Sequence, residues 1–132
     1  MKKLILTVSV ALLSGCSLLD AYLMKYDPME YQQIADIRTS AFFAKSTCDN
    51  ADQAKLQADN VAKKTYAFKN YVEYTPHNVQ VIASAGELDK MSQGLIAQYQ
   101  KGPVSVAFCK IKFENIEKSA ETMQKTIGAK PR

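Results

Sequence analysis

From Ile34 to Ile127 the apolar residues recur every third or fourth position, in four runs separated by short breaks. That spacing places each run on one face of an α-helix and fits no strand, whose buried side repeats every second residue. The first run is Ile34, Ile37, Ala41, Ala44 and Cys48, widened by Tyr31, Ala35 and Phe42. It opens at Asp27-Pro28, with Asp27 as N-cap, Pro28 at the first helical position and Glu30 completing a capping box. The second run is Ala54, Ala58, Val61, Thr65, Phe68 and Val72, capped by Asp49 or Asn50 and stopped before Pro76. The third is Val81, Ala85, Leu88, Ser92, Leu95 and Tyr99. Thr75-Pro76 is its expected start, Gly86 a possible kink and Gly102 its terminator. The fourth, opening at Pro103, is Val106, Cys109, Phe113, Ile116, Ala120, Met123 and Ile127, and Gly128 ends it. Four helices of roughly 20–25 residues, each ~30–37 Å long, with short connections, predict an all-α, up-down four-helix bundle over residues 28–128. Residues 129–132 read as a frayed tail.

The chain upstream of the bundle is of another kind. Met1-Lys2-Lys3 precedes an apolar run from Leu4 to Leu13, and Leu13-Ser14-Gly15-Cys16 follows. Two lysines, a greasy segment too short to span a bilayer and small residues before a cut site make a secretory signal peptide. Leu13-Ser14-Gly15-Cys16 resembles the lipobox of bacterial lipoproteins. The resemblance implies cleavage after residue 15, lipidation of Cys16 and an N-terminus carrying acyl chains such as palmitate. Residue 17 is serine, not aspartate, which by the sorting pattern of such lipoproteins implies the periplasmic face of the outer membrane. Residues 16–27 then form the lipidated N-terminus and its tether. Leu18, Leu19, Tyr22 and Leu23 share one face if helical, a face that lies on the membrane surface or, as the commoner outcome, packs on the domain. Residues 17–27 reach at most ~40 Å when extended, so the bundle stays near its membrane.

With Cys16 assigned to lipid, Cys48 and Cys109 remain as a pair in an oxidising compartment, and a disulfide is expected. In an up-down bundle the first helix ends where the fourth begins, so periodicity brings the same two residues together. The formal charge of the full chain is +4, and loss of Lys2 and Lys3 leaves +2. That balance gives no electrostatic case for nucleic acid.

Catalytic signals are sparse. The single histidine, His77, has no companion cysteine or histidine at metal-ligand spacing and is read as solvated. No Cys-x-x-Cys-His, Glu-x-x-His, phosphate loop or Ser-His-Asp set is present. Carboxylates are plentiful on the polar faces, but nothing marks two of them as a facing pair, so a cell-wall hydrolase is a minor alternative. The expected protein is not an enzyme, has no cofactor beyond the covalent lipid and takes no small-molecule substrate.

Apolar residues off the four stripes point to binding. Phe43, Leu56, Tyr66, Tyr71, Ile82, Ile96 and Phe108 are the expected lining of a groove for an envelope protein partner. The layout is similar to that of helical secretion pilotins, small outer-membrane lipoproteins. It shares the lipobox at Cys16, a first helix running into Cys48-Asp49-Asn50-Ala51-Asp52, and a late helix with Cys109. That resemblance implies a helix-lined groove for a disordered partner tail. The alternative is a bacteriophage envelope lipoprotein acting in superinfection exclusion or lysis.

Overall fold

The structure, a computed structural model, describes residues 25–76 and 78–132. Cys16, the signal segment, most of the tether and His77 lie outside the described residues. Four helices make up the bundle: α1 (Pro28–Ala44), α2 (Ala51–Glu73), α3 (Val79–Lys101) and α4 (Val106–Gly128). A 3-10 turn, Lys45–Thr47, prolongs α1 towards Cys48. Among the described residues there is no strand, and no helix is long and apolar enough to cross a membrane.

Local chemistry sets the helix starts. Asp27 is extended, and its carboxylate accepts from the backbone N–H groups of Met29 and Glu30. Asn50 does the same for Gln53, and Ser105 for Phe108. Each cap satisfies donors that a helix start otherwise leaves orphaned. The start of α4 is therefore Ser105-Val106 and not Pro103. The start of α3 is also later than Pro76: the Thr75 hydroxyl donates back to the Tyr71 carbonyl, finishing α2. No kink occurs at Gly86, since α3 runs unbroken from Val79 to Lys101. Gly102 has φ 139°, a conformation open to glycine and strained for other residues, and it turns the chain out of α3.

The helices alternate up and down around one core. Ile34, Ile37, Ala41, Phe68, Val72, Leu88, Leu95, Phe113, Ile116 and Ile127 are all at most 1% exposed. These are the stripe residues, and their burial is the main stabilising term. α1 packs most extensively on α4 and α2 on α3, whereas α3 and α4 make the slightest of the four neighbouring contacts. Cys48 and Cys109 are joined by a disulfide with Cα atoms 5.8 Å apart, closing the end where α1 finishes and α4 begins.

The opposite end holds two corrections to the sequence reading. Glu30 does not complete a capping box. It is fully buried, and its carboxylate accepts from the Asn78 amide and, at 2.6 Å, from the Lys130 ammonium. Lys130 also donates to the Asn78 side-chain oxygen at 3.2 Å. Residues 129–132 are accordingly not a frayed tail. The Lys130 side chain is only 7% exposed, Tyr26 donates its N–H to the Pro131 carbonyl at 2.8 Å, and Arg132 lies over the Tyr26 ring. A buried carboxylate needs a charged partner, and the tail supplies it.

Candidate groove between α3 and α4

The four seams of the bundle are filled differently. Between α1 and α4, Lys45 pairs with Glu117 at 2.5 Å, Arg38 donates to Gln124 at 3.2 Å, and the Tyr31 ring lies close over Gly128. Between α2 and α3, Thr65 donates to the Asp89 carboxylate, which also accepts from Gln93. Between α1 and α2, Lys64 bridges Asp36 at 2.9 Å and Ser40 at 2.8 Å. A groove of about 530 Å³ lies there, but Lys64 and Asp36, two of its lining residues, already pair with each other.

The α3–α4 seam is lined largely by small side chains, with Gln80 and Glu87 as its long polar ones. Ala83 and Ser84 face Ser119, Thr122 and Thr126 across it. Side chains of that size do not reach one another, and the seam opens into two adjoining hollows of about 410 and 420 Å³. The hollows share Ala83, Ser84, Thr122 and Met123, so they form one continuous trough. Its floor is apolar: Val81, Leu88 and Met123 are the buried residues beneath it, with Met91 partly buried beside them.

The walls are less polar than their residue types suggest. The Thr122 hydroxyl donates to the Lys118 carbonyl and the Thr126 hydroxyl to the Thr122 carbonyl, both at 3.0 Å. With its donor spent on its own helix, a threonine has chiefly its methyl to offer a ligand. Ser119 donates to the Met91 sulfur at 3.7 Å, the one side-chain hydrogen bond seen across this seam among the described residues. Among the described residues, Glu87 is the only charged side chain lining the trough. Two methionines in the lining can adjust to differing apolar shapes. Such a trough suits the apolar face of a partner helix or extended segment. Among the described residues, no three histidine, cysteine, aspartate or glutamate side chains are grouped to hold a metal ion.

Shifted acidities occur elsewhere and have local causes. The Tyr71 hydroxyl donates to the Asp27 carboxylate at 2.8 Å, and this bond raises the phenol above its usual range. Burial raises Tyr99. Glu114 and Glu121 are lowered by hydrogen bonds from Lys118 and Lys125 on the outer face of α4. None of these groups lines the trough.

The disulfide pair is found where expected. The expected groove residues are not gathered into one groove. Ile82, Ile96 and Phe108 are partly buried against the core and widen it. Phe43, Leu56 and Tyr66 are exposed at 63%, 65% and 53%, and none of them lines the trough. Phe43 instead stacks edge-on against Phe42, 5.2 Å between centroids. Tyr71 is half-exposed in the α1–α2 groove, tied to Asp27. Large apolar residues outside the stripes widen the core or lie on other faces of the bundle, and small residues open the trough. The signal for it was Ser119, Thr122 and Thr126 at three-four spacing beside the apolar stripe of α4. No protein-family model matches the chain, and no curated protein or solved structure matches it either.

Proposed function

We propose that this chain is an envelope lipoprotein. It is cut before Cys16, anchored by acyl chains on that residue in the outer membrane, and exposed to the periplasm. Its bundle acts as a pilotin-like adaptor that binds a protein segment along the α3–α4 trough. The observation that carries the binding role is the trough itself. It has an apolar floor and small side chains on both walls, with the Thr122 and Thr126 donors turned onto their own helix, and Gln80 and Glu87 are its long polar lining residues. The Cys48–Cys109 disulfide supports export, since such bonds persist in oxidising compartments.

Site-specific photo-crosslinking in the producing cell tests the reading. A photoreactive side chain in place of Thr122 is expected to give one protein adduct mapping to a single amphipathic or extended segment. The same group in place of Leu56, on the outer face of α2, is expected to give none. Ser84→Trp, which fills the trough, should reduce the adduct at least tenfold while leaving the fold intact. Equal crosslinking from both positions, or an adduct that Ser84→Trp leaves unchanged, refutes the reading. An adduct with a secretin tail fits the adaptor role, and one with a surface receptor fits exclusion. Release of sugar or peptide from cell wall would contradict a binding role.

A further inference from the structure

We propose that the end of the bundle opposite the disulfide is a lipid-contacting surface, on which the domain stands upright on its membrane. The proposal rests on the reading of Cys16 as the anchor and adds an orientation to it.

The buried network of Glu30, Asn78 and Lys130 defines this end, because it draws the starts of α1 and α3 and the chain beyond α4 into one layer. The Tyr71–Asp27 hydrogen bond brings the end of α2 level with them. Three apolar side chains stand out of that layer. Met29, next to Glu30, is 48% exposed; Val79, next to Asn78, is 74% exposed; Tyr74, at the close of α2, is 88% exposed. Other large apolar side chains are exposed elsewhere, among them Phe42, Phe43, Leu56 and Ile111, but these three share the layer at which the described chain begins. Tyrosine and aliphatic residues at one pole suit the boundary between headgroups and acyl chains.

Chain connectivity identifies the occupant. The described chain begins at Lys25 in this same layer, with Tyr26 held by Pro131. Only residues 17–24 separate Lys25 from Cys16, a reach of at most ~30 Å when extended. The disulfide lies at the other end of helices of 23 residues, ~35 Å away. A lipid on Cys16 therefore draws this end, and not the disulfide end, to the bilayer. Lys130 pairs with Glu30 and Lys69 with Glu73, whereas Lys25 and Arg132 in the same layer are exposed cations. Attraction of these two to anionic headgroups is screened at high salt, and contact carried by apolar area is not. The α3–α4 trough, running along the bundle side, stays open to the periplasm in this pose.

The chain contains no tryptophan, so single substitutions report position cleanly. Full-length protein carrying Tyr74→Trp or Phe43→Trp is purified from envelope and reconstituted on phosphatidylethanolamine–phosphatidylglycerol vesicles with brominated acyl chains. The Tyr74→Trp indole is expected to be quenched at least threefold more strongly than the Phe43→Trp indole, and to remain so at 500 mM salt, where charge attraction is screened. Adding Met29→Ser and Val79→Ser should reduce that quenching by half or more. Equal quenching of the two indoles, or none in either, overturns the proposal. The mass of the N-terminal peptide reports the anchor separately. An unmodified Cys16 with a quenched Tyr74→Trp indole would remove the anchor and support the surface. An unmodified Cys16 with an unquenched indole overturns both.

Discussion

Replacing Lys130 by methionine tests the docking of the C-terminal segment. The Lys130 ammonium is 2.6 Å from one Glu30 oxygen and 3.2 Å from the Asn78 side-chain oxygen, with its side chain 7% exposed and that of Glu30 at 0%. Methionine preserves most of the volume and removes the charge, leaving a buried carboxylate with only the Asn78 amide. Removing one partner of a buried ion pair costs about 3–5 kcal/mol. That is a large fraction of the roughly 5–15 kcal/mol by which domains are stable, and for a domain of this size it lowers Tm by roughly 10–20 °C. Glu30→Gln in the same chain restores balance, because a neutral amide at that position can still bond Asn78. The double variant should recover at least half of the loss. Urea unfolding followed by circular dichroism reads all three proteins, with an unchanged m-value showing that the unfolding reaction is the same. If Lys130→Met lies within 1 kcal/mol of wild type, the ion pair does not hold the tail, and residues 129–132 are the frayed end that their composition suggests.

Reduction of the disulfide, which links residues 61 apart in sequence, should cost about 4 kcal/mol by loop entropy. Thiol titration of the native oxidised protein should find neither Cys48 nor Cys109 free, and one free pair would contradict the covalent closure. Spectrophotometric titration should show two tyrosines ionising above the usual range, Tyr99 because it is buried and Tyr71 because the hydrogen bond to Asp27 favours its protonated form. The stability from the Tyr71–Asp27 bond is fully present below the ordinary tyrosine pKa of ~10 and is lost as pH rises through the higher folded value of Tyr71. Asp27→Asn should move that transition down, and an unchanged titration would assign the raised group elsewhere.

The fold was legible because its determinants are periodic. The four stripes from Ile34 to Ile127 became the core almost residue for residue, and the Cys48–Cys109 pairing followed from topology. Caps at Asp27 and Asn50 were readable as local hydrogen-bonding chemistry. What escaped was tertiary. Glu30 has the type and position of a capping-box residue, and only its distance to Asn78 and Lys130, 48 and 100 positions away, explains where it turns. Asn78 spends its side chain on Glu30, so α3 starts without a side-chain cap and later than Thr75-Pro76 implies. Phe43 and Leu56 drew attention because they are large. A trough depends on which neighbouring helices fail to touch, and the responsible residues, Ser84, Ser119 and Thr122, are individually unremarkable.

The orientation on the membrane, and a trough held open to the periplasm, both depend on Cys16. The most direct test is the intact mass of the mature chain from purified outer membrane. The predicted species begins at Cys16, with Cys48 and Cys109 oxidised and with acyl chains on the new N-terminus. A chain cut elsewhere, or one with a bare Cys16 recovered from the soluble periplasm, would contradict it.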